Sequence, residues 1–134
     1  MRVSMVQEKE AEGKVKEVYA EIIAGFGMVP NLFKTMALRP EILEANWAKV
    51  NAVLMAGKVP RETKELIAYT VSKANECAYC AAAHGRALEM LGFPRDRIER
   101  LGADLASAGL DEKTRKILQF CVKATREPNR ITDR

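Results

Sequence analysis

The sequence has little aromatic content, almost no histidine and few cysteines. Of 134 residues, aromatics make up 6%, there is a single histidine, His84, and there are three cysteines. With so few rings, the core must be built largely from aliphatic side chains. The abundance of Ala, Leu, Lys, Glu and Arg favours helix over sheet. No apolar run approaches the ~18 residues needed to span a membrane. No segment alternates with period two for long enough to form a convincing strand, and there is no internal repeat or low-complexity stretch. Gly25-Phe-Gly27 lacks the third glycine of a dinucleotide-binding loop, so no nucleotide, flavin or other cofactor is expected.

A chain of this length reads as one domain, 1–134, large enough to bury a core without cross-links. Hydrophobic residues are 48% and charged residues 30%, as in ordinary globular proteins. The formal net charge is +4, but 22 basic residues are interleaved with 18 acidic ones. The densest basic cluster, Lys113, Arg115 and Lys116, follows Asp111 and Glu112 and reads as a solvated helix face, so no nucleic-acid partner is expected. The first twelve residues are charged and lack the apolar segment of a signal peptide. The expectation is a cytoplasmic protein with no membrane partner, in which three cysteines do not form a disulfide scaffold.

Apolar spacing and breakers predict seven helices with short connections. Val15, Val18, Tyr19, Ile22 and Ile23 form a stripe within 8–24, ended by Gly25 and Gly27. Pro30 opens a second helix to about Arg39. Pro40 opens a third, through Trp47, Val50, Val53 and Leu54 to Gly57, and Pro60 a fourth, to about Ala74. Asn75 is a suitable N-cap for a fifth helix, 76–91, stopped by Gly92. A sixth runs from Pro94 to near Gly109. Asp111 caps the seventh, with Leu118, Cys121 and Val122 facing inward and Pro128 stopping it. At the end of the chain, Thr132 or Asp133 reads equally as the cap of a further helix and as part of a frayed terminus.

The stretch that carries chemistry is Cys77-Ala-Tyr-Cys80-Ala-Ala-Ala-His84. Spacings of three and four place the two cysteines and the histidine in a row along one helix face. An i, i+3 pair at a helix start has Cα atoms about 5 Å apart, within reach of a disulfide. The positive end of the helix favours thiolate, and an imidazole one turn on can take the proton of Cys80. The three alanines leave the sulfurs reachable. Two other readings stand beside the redox pair. The pair could be half of a zinc site, although three ligands on one continuous helix fit a tetrahedron poorly. It could also be two inert cysteines near an unrelated histidine. Cys121 reads as core. By spacing alone, Glu65 is a surface acid pairing with Arg61 four residues before it.

Glu65, eleven residues, Cys77-x-x-Cys80, three residues and His84 together resemble the core motif of the alkyl hydroperoxidase D (AhpD-like) family, within the carboxymuconolactone decarboxylase superfamily. Val29-Pro-Asn-Leu-Phe-Lys-Thr-Met and Arg39-Pro-Glu-Ile-Leu are also similar to members of this group, and the similarity spans about 29–128. The resemblance implies an all-α helical bundle and a homo-oligomer, trimer or hexamer, with sites near subunit contacts. It implies a thiol-dependent peroxidase without metal, in which Glu65 acts on His84, often through a water, and His84 deprotonates Cys80. Cys80 would attack the peroxide, and Cys77 would condense with the resulting sulfenic acid. A dithiol or lipoyl-bearing protein would restore the pair.

The sequence departs from the family where well-known peroxidase members carry a histidine next to the second cysteine. Tyr79 stands there, a poorer proton carrier at neutral pH. This opens two further readings: a general thiol-disulfide reductase without peroxidase activity, and a non-enzymatic redox-sensing or structural protein. The superfamily's decarboxylases lack the cysteine pair, so lactone decarboxylation is not expected. In thioredoxin-like sites the first cysteine is the nucleophile, which would make Cys77 the contact for a protein disulfide, while the resemblance assigns peroxide attack to Cys80.

Overall fold

A computed structural model describes residues 3–132. Among them there are seven α-helices and no strand: α1 Gly13–Phe26, α2 Asn31–Met36, α3 Pro40–Val50, α4 Arg61–Ala74, α5 Ala78–Met90, α6 Arg95–Ala103 and α7 Glu112–Arg126. The all-α expectation holds, and no helix among the described residues is long and apolar enough to cross a membrane. The chain divides into two compact units, Met1–Lys58 and Val59–Arg134.

In the first unit, α1 buries Val15, Val18, Tyr19 and Ile22, four of the five expected stripe residues, while Ile23 is exposed. The helix starts later than the pattern suggests. Residues 8–10 form a separate 3-10 turn, closed by Glu10 accepting the Gln7 backbone N–H at 2.9 Å, and Ala11 and Glu12 are extended before Gly13. Gly27 ends α1 in the left-handed region at φ 76°, as expected. Gly25 stays helical. A Cβ there would lie 3.4 Å from the Trp47 ring and 3.1 Å from Met55 Cε, so its role is close approach. Trp47 packs edge-on against Phe26 and Phe33 and donates to Glu21 Oε2 at 2.7 Å. Helix α2 ends at Met36, three residues short of expectation. Helix α3 gives way at Asn51–Met55, short of the expected end at Gly57, to a π-helical turn on which Val53 is exposed.

In the second unit, α4 lies against α5 and α7. Leu66, Leu88, Ile98, Leu101 and Leu118 form an aliphatic core. Tyr69 on α4 meets two glycines. Cβ atoms at Gly85 and Gly102 would stand 3.4 Å from its ring and 2.8 Å from its hydroxyl. Helix α6 ends at Ala103, not near Gly109, because Asp104 turns extended and its side chain accepts the Ala106 N–H at 3.0 Å, competing with helix continuation. Helix α7 starts as expected: Asp111 accepts the Thr114 N–H at 2.9 Å and its hydroxyl at 2.6 Å. Lys116 of the basic cluster pairs with Glu112 at 2.7 Å, both exposed. Leu118 is buried, and Cys121 and Val122 are half-buried. Thr132 follows the last 3-10 turn without forming helix, and Asp133 lies outside the described residues.

Two predictions concern this scaffold. Glu76, between α4 and α5, is a non-glycine residue at φ 54°. Glu76→Gly removes the Cβ penalty there and is expected to raise stability by about 1 kcal/mol; an unchanged or lower midpoint in urea denaturation would contradict this. The bonds from the Thr114 hydroxyl and, next, its N–H hold the Asp111 carboxyl below its ordinary range. A lowered folded-state pKa gives stability that is complete above the unfolded value, ~3.9, and lost as pH falls through the folded one. Asp111→Ala should therefore lower the melting temperature at neutral pH, and the gap to wild type should narrow as the pH falls into the acid range where the folded-state carboxyl is protonated. A gap independent of pH would contradict it.

Candidate functional site

The turn between α4 and α5 places the first cysteine. Helix α4 ends in a Schellman arrangement: the Cys77 N–H donates to Ser72 O at 2.9 Å and the Glu76 N–H to Lys73 O at 3.1 Å. This closure puts Glu76 in the left-handed position glycine usually fills, and Asn75 caps the end of α4. Cys77, not Asn75, is then the N-cap of α5, and the helix begins at Ala78, two residues later than expected. Cys77 therefore ends one helix with its backbone and opens the next with its side chain, since Cys77 Sγ accepts the Cys80 N–H at 3.3 Å. A sulfur in this position faces the unpaired amides and positive end of the helix, a setting that stabilises thiolate over thiol.

Cys77 and Cys80 are joined as a disulfide with Cα atoms 5.4 Å apart, as the spacing allowed. Both are half-buried, Tyr79 between them is 48% exposed, and Ala82 and Ala83 lie at the surface. Ala81 instead packs against the core of the unit. Two concavities among the described residues are lined mainly by α7 residues such as Lys113 and Gln119, and by none of the four site residues.

Glu65 departs most from its spacing-only reading. It does pair with Arg61, with Nε 3.5 Å from Oε1, but it is no surface acid: the residue is 1% exposed. The packing of α4 against α5 buries it, and its Oε2 lies 2.8 Å from His84 Nδ1. The carboxylate and the imidazole touch directly, with no room or need for an intervening water. His84 is only partly covered, its side chain 26% exposed. Buried charge is costly unless paired and hydrogen-bonded, and this carboxylate has a partner on each oxygen.

Thus Glu65 and His84 bridge α4 and α5, while Cys77, Cys80 and His84 follow one another along the start of α5. The spacings of three and four keep the two cysteines and the histidine on one face. Such a set can hold a reducible disulfide, stabilise a thiolate at a helix start, and move a proton through an imidazole oriented by a carboxylate. Sequence reasoning missed the capping role of Cys77, and a Schellman closure without glycine leaves little sequence signal. Cys121 stands apart as a free thiol. Burial pushes its thiol up from the ordinary range, which favours thiol over thiolate. Among the described residues no three His, Cys, Asp or Glu side chains gather as metal ligands would.

Comparison with known proteins shows the family and the fold. Residues 40–123, more than half of the chain, match the Carboxymuconolactone decarboxylase family. The alkyl hydroperoxide reductase Rv2159c of Mycobacterium tuberculosis is 34% identical over 90 residues, covering 67% of this chain but 26% of its own length, so the chain spans about a quarter of that relative. An uncharacterised peroxidase-related protein from Silicibacter sp. TM1040 superposes with a TM-score of 0.84 at 28% identity, over 99% of this chain and 72% of the other. A peroxidase-related protein with an alkylhydroperoxidase AhpD core, from Ralstonia eutropha JMP134, has the same fold, with a TM-score of 0.86 at 24% identity over 98% and 70% of the two chains. The matched span contains the glutamate, both cysteines and the histidine, and the chain belongs to the carboxymuconolactone decarboxylase family as an AhpD-like member.

Proposed function

We propose that this protein is a thiol-dependent peroxidase that reduces organic hydroperoxides or hydrogen peroxide through Cys77 and Cys80. The observation that carries the reading is the direct Glu65–His84 contact at 2.8 Å, one helical turn beyond a disulfide-linked cysteine pair. A structural disulfide needs no oriented imidazole, whereas proton transfer at a thiol does.

The sequence of steps follows from the chemistry. His84, oriented by Glu65, takes the proton of Cys80. The Cys80 thiolate attacks one peroxide oxygen. The O–O bond breaks, the alcohol or water leaves with a proton, and Cys80 becomes a sulfenic acid. The Cys77 sulfur, stabilised as thiolate at the helix start, attacks the sulfur of Cys80, and the second oxygen leaves as water. The peroxide gains two electrons and the pair becomes a disulfide. A dithiol or lipoyl-bearing protein then reduces it by exchange, with Cys77 as its point of attack. Glu65, His84, Cys77 and Cys80 are the residues proposed for this work. Family resemblance adds the proposal of a homo-oligomer, trimer or hexamer.

A second reading has its own observation. Cys77 accepts a helix-terminal N–H through its sulfur, the setting of a disulfide-exchange nucleophile. With Tyr79 in place of the histidine of well-known peroxidases, the site could trade disulfides without turning over peroxide.

The two readings separate in a single-turnover experiment on reduced protein with one equivalent of cumene hydroperoxide at neutral pH. The peroxidase predicts rapid loss of two of the three thiols and of the mass of two hydrogens, with the alcohol formed in equal amount, and no disulfide in Cys80→Ser. Oxidation by a model disulfide with peroxide untouched would select the exchange enzyme. Inertness to both would overturn the redox reading.

A further inference from the structure

Two features of Arg61 call for a reason beyond helix stability. It is the first residue of α4, where the positive end of the helix disfavours a cation. It also precedes Glu65 by four residues, the weaker of the two orders for such a pair. Yet its Nε stands 3.5 Å from Glu65 Oε1, while Oε2 of the same carboxylate is 2.8 Å from His84 Nδ1. Glu65 is 1% exposed, and the Arg61 side chain is 29% exposed.

We propose that Arg61 is a positioning residue that sets the direction of the Glu65–His84 hydrogen bond, so that Nδ1 donates and Nε2 is left bare to accept the proton of Cys80. The inference rests on the proposed thiol chemistry for its purpose, though not for its test. A buried carboxylate must be balanced, be neutralised, or hold a cation of its own. With Arg61 on Oε1, the charge of Glu65 is balanced and the imidazole can stay neutral. Its one ring proton then lies on Nδ1, donated to Oε2, and Nε2 carries only a lone pair. Without Arg61 the unbalanced charge favours one of two outcomes. The carboxyl takes up a proton and donates it to Nδ1, which puts the imidazole's own proton on Nε2. Alternatively, the carboxylate keeps its charge and holds the ring doubly protonated. Either way Nε2 is occupied and cannot receive the proton of Cys80. The arginine does not touch the sulfurs; it acts through Glu65 on the form of His84.

The chain has one histidine, so the two ring nitrogens can be read without assignment ambiguity in reduced, nitrogen-15-labelled protein at neutral pH. The wild type should show a protonated Nδ1 and an unprotonated Nε2. Arg61→Met and Arg61→Gln, one apolar and one polar but both without charge, should each show a protonated Nε2. Arg61→Lys, which restores the charge, should return the wild-type pattern. An unprotonated Nε2 in both neutral variants would overturn the proposal, as would a protonated Nε2 in the wild type or in Arg61→Lys. Because the spectra require no turnover, a wild type inert to peroxide would sink the peroxidase reading and leave this result standing.

Discussion

A carboxylate buried between helices is the constraint on which the rest of the site depends. Glu65 is almost completely removed from water, and burying its charge is tolerated only because each oxygen meets a partner, Arg61 on its own helix and His84 on the next. The bond to His84 ties α4 to α5 beside the Cys77–His84 stretch and orients the imidazole. Since His84 follows Cys80 by one turn, whatever holds the ring also fixes it relative to the helix start that carries Cys80. In the proposed mechanism stability and chemistry draw on the same contact.

The second constraint is the joint between these helices. A Schellman closure of α4 holds the backbone of Cys77, and the first turn of α5 engages its sulfur. The two cysteines are consequently unalike despite their adjacency. Cys77 sits at the positive end of the helix, where thiolate is favoured; Cys80 lies within the first turn, nearer the histidine. The proposed division of labour, with Cys80 giving its proton to His84 and thiolate character at Cys77, draws on this difference. The left-handed Glu76 is the local strain that lets one turn meet both demands.

Helix boundaries were legible where a single residue dictates geometry. Pro40, Pro60 and Pro94 mark the starts of α3, α4 and α6 because proline's fixed φ suits a helix start, and Asp111 marks α7 through its side-chain cap. The stripe at 15, 18, 19 and 22 was legible because its burial follows from period alone. Asn75 was misread because asparagine suits both the start of one helix and the end of another, and the choice was made by Ser72 and Lys73 carbonyls that no spacing rule announces. The burial of Glu65 was invisible to local pattern. From Arg61 and its own neighbours it is an exposed i, i+4 acid, and only the packing of α5 over α4 places it in the interior. Motif resemblance reached that residue where periodicity did not, because the motif carries the long-range contact within its spacing. Gly85 and Gly102 were silent for the same reason: their meaning lies in Tyr69, a residue distant in sequence from both.

The most direct test of this account is the single-turnover rate of Cys77–Cys80 disulfide formation in Glu65→Gln compared with wild type, both folded and reduced, under one excess of hydroperoxide. If the carboxylate orients the imidazole that deprotonates Cys80, the rate should fall by about tenfold to a hundredfold, a share of what a positioned base contributes, while the disulfide still forms in the end. An unchanged rate would contradict the account, because it would mean that the buried Glu65–His84 contact serves the fold and takes no part in the chemistry of the sulfurs.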